Sequence, residues 1–139
     1  MIKKILLAYD GSESSEKALD FAMSLADAMQ AELHLLAVSQ PPDIPADVET
    51  EAYMESVTKH DRQILSHAVN KAHARGLTRT SCEMRVGRPA EQIVSTAENR
   101  AADLIVVGHR GRSLFERWLL GSVAKQVMAY AHCPVTVVR

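Results

Sequence analysis

DLIVVGHRGRSLFERWLLGSV, residues 103–123, decides how the rest of the chain reads. After Asp103 come four consecutive apolar residues, Leu104 to Val107, with no helical period. That is the pattern of a strand covered on both faces, which belongs in a parallel sheet. Gly108 ends the run, and Gly111 and Gly121 follow, so three of the chain's six glycines fall in this stretch. Ser122 then opens a segment to about Ala131 that reads as a helix. A buried strand, a glycine-punctuated connection and a helix make one parallel α/β unit.

Working outward, the same alternation repeats. KKILLAY, residues 3–9, is a short apolar run and reads as a first strand. Ala18, Ala22, Leu25 and Met29 then recur at helical spacing, with Ser12, Ser14 and Ser15 as N-cap candidates. ELHLLAV, residues 32–38, is a second strand. Pro41, Pro42 and Pro45 forbid regular structure and predict an exposed loop. A long polar helix is expected from Val48 to Arg75, with Val57, Ile64, Ala68 and Ala72 as its apolar stripe and Gly76 as its stop. Thr80, Cys82, Met84 and Val86 alternate as a third strand, and Pro89 stands near the start of the next helix. PVTVVR, residues 134–139, is the final strand. The order β-α-β-α-β-α-β-α-β, with no duplicated segment, predicts a single α/β domain over residues 1–139: a doubly wound parallel sheet with helices on both faces.

Composition narrows the function classes. A length of 139 residues fits one domain. Sixteen basic against seventeen acidic residues suggest neither a nucleic-acid nor a membrane partner. No run approaches the roughly 18 apolar residues of a membrane span. ILLAY, behind Lys3 and Lys4, is too short for a signal peptide and lacks a cleavage site, so a cytoplasmic location is expected. Two cysteines, Cys82 and Cys133, make no disulfide framework and are expected to be buried thiols, with a redox role as the alternative.

In a doubly wound sheet a ligand sits beyond the carboxyl ends of the strands, where the winding reverses. The connections to watch are Tyr9–Ser12, Ser39–Pro45, Gly87–Pro89 and Gly108–Gly121. Glycines let backbone approach a ligand closely, and a helix N-terminus supplies free amides and partial positive charge. Gly108 to Ser122 therefore reads as a phosphate cradle, with charge from Arg110 and Arg112 and with His109 inside it. It is neither a Walker loop, lacking Gly-Lys-Ser/Thr, nor the dinucleotide fingerprint, whose spacing differs. A plain turn followed by an ordinary serine cap remains open on spacing alone. Of the six histidines, His60, His67 and His73 read as solvated, His34 as structural, and His132 as serving the last helix's negative end. Asp10 after the first strand could suggest a phosphoryl acceptor of the receiver type. Asp103 stands at the wrong end of its strand for the acidic partner, and no suitable lysine follows.

GHRGRSLFERWLLGS has the form Gly-x2-Gly-x9-Gly-Ser, and it resembles the ATP-binding motif of the universal stress protein family. ILLAYDGSESSEKAL, VGRPAEQIV, ADLIVVG and GSVAKQVMAYAHCPVTVVR resemble that family's start, middle and end, so the likeness covers essentially the whole chain. The resemblance implies a five-stranded sheet in the order 3-2-1-4-5. It implies ATP as ligand, with or without Mg²⁺. Asp10, approached through Ala8 and Tyr9, would lie near the adenosine, although the family often has a small residue or proline where Tyr9 stands. The backbone of Val38 would meet adenine, and Val107 and Gly108 would lie beside ribose and phosphates. Gly111, Gly121, Ser122 and Val123 would hold the phosphates. It also implies a homodimer through the last strand, Val135 to Val138. The function expected is a nucleotide-binding stress-response regulator; the alternative is a slow ATPase or phosphate-transferring enzyme on the same fold.

Overall fold

The structure is a computed structural model that describes residues 1–41, 48–110 and 120–139. The prolines Pro42 and Pro45, with Gly111 and Arg112, lie outside the described residues. The elements are β1 Lys4–Ala8, α1 Glu13–Met29, β2 Glu32–Ser39, α2 Val48–Ala74, β3 Thr80–Val86, α3 Pro89–Asn99, β4 Leu104–Gly108, α4 Ser122–Tyr130 and β5 Val135–Val138.

All pairings are parallel, and the sheet order is β3-β2-β1-β4-β5. The chain winds outward from β1 through β2 to β3, then returns to the other side of β1 for β4 and β5. The reversal lies between β1 and β4, whose carboxyl ends carry Ala8 and Gly108.

Side-chain alternation splits the core into two layers. On one face Ile5, Leu7 and Tyr9 of the first strand region pack with Leu33, Leu35 and Val106 beneath α1 and α2. On the other, Leu6, Leu36, Ile105 and Val107 pack beneath α3 and α4. The helices present small residues to the sheet, such as Ala18, Ala22, Ala68, Ala72, Ala90 and Ala97, which allows close approach.

Local signals set most boundaries. Ser12 is the N-cap of α1, its hydroxyl accepting from the Ser15 amide at 3.2 Å. After α2 the chain turns at Gly76, which has φ +83°, a value that L side chains rarely adopt. Its amide returns to His73 O at 2.9 Å. Asp103 marks the opposite end of the sheet from the reversal point. Its Oδ2 accepts from the amides of Lys3 and Lys4 at 2.8 and 3.0 Å, and those two bonds pull its carboxyl below the usual range.

One expectation needs correction. Cys82 is exposed and Cys133 is only half-buried. The cause is topological: β3 is an edge strand, and Cys82 opens into a surface groove with Leu65, Val69 and Met84. Val86, on the same strand, is 49% exposed. His132, just past the end of α4, reaches across to Glu98 of α3. The stripe of α2 also carries more than was expected, since Leu65 and Asp61 are buried beside Ala68 and Ala72.

Candidate functional site

The turn after β1 is built from its own polar groups. Asp10 Oδ1 accepts from the Ser12 amide at 2.9 Å, and Ser15 Oγ donates to Ser12 O at 3.0 Å. The Asp10 amide in turn donates to Ser15 Oγ at 3.4 Å. The Asp10 carboxylate is thus held half-buried at the first turn of α1, beside the carboxyl end of β1.

Tyr9 turns the other way. It is 3% exposed, sits in the layer under α1 and α2, and donates its hydroxyl to the Glu16 carboxylate. Burial, then Glu16 and Asp10, push its phenol well above the ordinary tyrosine range. The period of two that sends Tyr9 to that layer sends Ala8 to the opposite one. There Ala8, Val38, Val107 and Val123 all join the apolar layer under α3 and α4. Four of the residues singled out from the sequence therefore share one layer, drawn from β1, β2, β4 and α4.

Gly108 is required by packing. A Cβ there would stand 2.8 Å from the backbone carbonyl carbon of Ser14 and 2.9 Å from its oxygen. Contacts that short force backbone apart, so β4 and the first turn of α1 meet this closely because residue 108 has no side chain.

His109 is the junction of three elements. Its amide donates to Val138 O of β5 at 2.7 Å, and its carbonyl accepts from the Gly121 amide at 2.9 Å. His109 and Gly121 thus meet through their backbones, with Arg110 half-buried just after His109. Gly121 is the N-cap of α4, and the first intrahelical bond runs from the Lys125 amide to Gly121 O at 3.0 Å. The amides of Ser122, Val123 and Ala124 precede that bond, at the positive end of the helix dipole. Ser122 is the first helical residue, not the cap. Its side chain is exposed, and α4 has no side-chain cap. The expected serine cap is corrected accordingly: glycine at 121 takes the cap position, leaving the hydroxyl one residue too late to reach back.

Sequence reading missed a buried polar pair near the same end of the sheet. Ser39 Oγ, at the end of β2, donates to Asp61 Oδ2 of α2 at 2.5 Å. The signal was present, because Asp61 lies four residues from both Val57 and Leu65 on the apolar face of α2.

The remaining histidines are placed as expected. His60, His67 and His73 are exposed. His34 is enclosed, its Nε2–H donating to Glu83 Oε1 at 2.9 Å and its Nδ1 taking the Ser81 hydroxyl at 2.7 Å. The carboxylate can only accept, which fixes that tautomer. Among the described residues, no group of three or more His, Cys, Asp or Glu could hold a metal ion, and no helix is long and apolar enough to cross a membrane.

The family model for the universal stress proteins matches residues 1–139. The chain belongs to the universal stress protein family. A universal stress protein of Methanocaldococcus jannaschii is 37% identical over 142 residues, covering 100% of this chain and 83% of that one. Universal stress protein UspA from Lactobacillus plantarum superposes with a TM-score of 0.92 at 23% identity, covering 99% and 98% of the two chains, a likeness of fold. A universal stress protein solved in complex with cAMP is 29% identical, with a TM-score of 0.72 over 99% of this chain and 97% of that one. The five-stranded order 3-2-1-4-5 expected from the family resemblance is the order observed in this universal stress protein.

Proposed function

We propose that the protein is an adenine-nucleotide-binding regulatory module, with ATP as the ligand, with or without Mg²⁺. The observation that carries this reading is the N-terminus of α4. It begins at a glycine, has no side-chain cap, and presents the exposed Ser122 hydroxyl. Its hydrogen-bonded neighbour His109 directly follows β4, beside the point where the winding reverses, which is where doubly wound sheets take ligands. Ala8, Val38 and Val107 supply an apolar wall for adenosine, and Asp10 a carboxylate for ribose. Tyr9 contributes backbone only, since its side chain lies in the opposite layer. Gly108 beside the ribose, the amides of Ser122 and Val123, Arg110, and Gly111 and Arg112 outside the described residues, complete the proposed set. A relative that was solved with cAMP supports an adenine nucleotide as the ligand class.

A regulator is favoured over an ATPase because Asp10, the acid at this end of β1, already accepts a backbone amide and braces α1. The protein is proposed to be cytoplasmic and to form a homodimer through Val135 to Val138, on the edge strand β5. Calorimetry on protein stripped of nucleotide tests the reading. Wild type should release heat with ATP, and Gly121→Val, which puts a branched side chain at the cap of α4, should not while remaining folded. No heat from wild type, or equal binding by the variant, overturns it.

A further inference from the structure

His109 is 7% exposed, and its Nε2 is buried without a hydrogen-bond partner, the one such side-chain atom among the described residues. A buried polar atom left unsatisfied is expensive, and natural structures keep few of them. Its neighbour on the chain side is equally distinctive. The His109 carbonyl holds the Gly121 amide at 2.9 Å, so the imidazole belongs to the residue that fixes the start of α4. One residue therefore carries two features: a carbonyl that holds a helix N-terminus with no side-chain cap, and a buried ring nitrogen with a hydrogen bond still to make.

We propose that His109 is a ligand-binding residue of this site, whose Nε2–H donates to a phosphate oxygen of the bound nucleotide. The proposal rests on the nucleotide reading above and assigns a specific role within it. The chemistry matches. Phosphate oxygens only accept, and a neutral imidazole protonated at Nε2 supplies one directed donor. A donor to a charged acceptor is worth more than one to a neutral group, and in a buried site the bond is shielded from competing water. The amides ahead of the first turn of α4 favour the same negative charge. In this arrangement His109 makes the site prefer phosphorylated adenosine over adenosine itself. The cost of the orphaned nitrogen is carried by the free protein and relieved on binding.

The test is calorimetry of nucleotide-stripped wild type, His109→Phe and His109→Gln with ATP and with adenosine. Phenylalanine keeps the ring volume and removes the donor; glutamine places an amide donor near the position of Nε2. His109→Phe should lose affinity for ATP by about tenfold or more, the scale of a hydrogen bond to a charged group. Adenosine affinity should change little, and His109→Gln should recover part of the ATP affinity. In unsubstituted protein, the ¹⁵N shift of His109 Nε2 should move on titration with ATP and stay put with adenosine. ATP binding by wild type that is unchanged in His109→Phe, or a ring shift indifferent to ATP, overturns the role of His109 and leaves the nucleotide reading standing. Equal losses for ATP and adenosine also overturn it, since they mark a structural role for the ring. No ATP binding by wild type overturns both.

Discussion

Ser39 Oγ lies 2.5 Å from Asp61 Oδ2, and both residues are buried, at 1% and 0% exposure. The pair fastens the carboxyl end of β2 to the middle of α2. The backbone at Ser39 is tied as well, its carbonyl accepting from the Gly87 amide at 3.0 Å. The end of β2, next to Val38, is therefore fixed to α2 by a side chain and to the β3–α3 connection by the main chain. Ser39→Ala removes a donor from a buried carboxylate and should destabilise the protein by about 1–3 kcal/mol. Urea unfolding of the two proteins measures this, and an unchanged midpoint would show that the carboxylate finds an equal donor elsewhere.

Gly108→Ala should be destabilising although alanine is a small residue. The new Cβ would meet Ser14 backbone at 2.8 Å, so β4 and the first turn of α1 would have to move apart. Overpacking of this kind costs about 1–3 kcal/mol. Thermal unfolding with Gly108→Ala would check it, and a melting temperature equal to wild type would mean that α1 shifts freely over β4.

Ser122→Ala should leave stability within about 0.5 kcal/mol of wild type, because the exposed hydroxyl caps nothing. On the nucleotide reading it should still weaken ATP more than adenosine. Denaturation paired with calorimetry separates the two effects, and a loss as large as that of a true cap would restore the serine to the cap position.

His34 makes stability pH-dependent. Burial lowers its pKa below the ordinary 6.5, with Arg100 adding to the effect and Glu83 opposing it. The unfolded chain then binds more protons than the folded one as pH falls past 6.5, so stability declines on acidification. Asp103, whose pKa is lowered from 3.8, acts in the same direction but only at more acidic pH. Between about pH 7.5 and 5.5 wild type should lose more stability than His34→Gln. Identical losses in urea titrations would place the proton uptake on other groups.

The parts of this fold that could be read from sequence are those where one physical demand dominates. β4 is covered on both faces, so Leu104 to Val107 could hardly be anything but a central parallel strand. Ala8 and Tyr9 are separated by strand periodicity alone, and the structure puts them in opposite layers. What escaped notice depended on relations between elements. Cys82 alternates as an inner residue would, yet only the sheet order reveals that β3 is an edge. Asp61 sits at an apolar stripe position, but a carboxylate there reads as solvent-facing until Ser39 is brought to it across the fold. Gly121 and Ser122 are both good caps, and the chain path through His109 chooses between them.

The edge strand β5 offers the sharpest test of assembly. Ile105 N donates to Pro134 O, and His109 N to Val138 O. Backbone groups alternate in direction along a strand, so 134, 136 and 138 face β4, while Val135 and Val137 direct their amides and carbonyls to the open edge. That edge is a template for a second copy related by a two-fold axis. Val137→Pro removes an outward donor and leaves the bonds to β4 intact. It should give a folded monomer, whereas Thr136→Pro cuts a bond to β4 and should destabilise the subunit itself. Light scattering and circular dichroism on wild type and both variants would distinguish these outcomes. A monomeric wild type at micromolar concentration, or a Val137→Pro variant that dimerises as wild type does, would rule out pairing through β5.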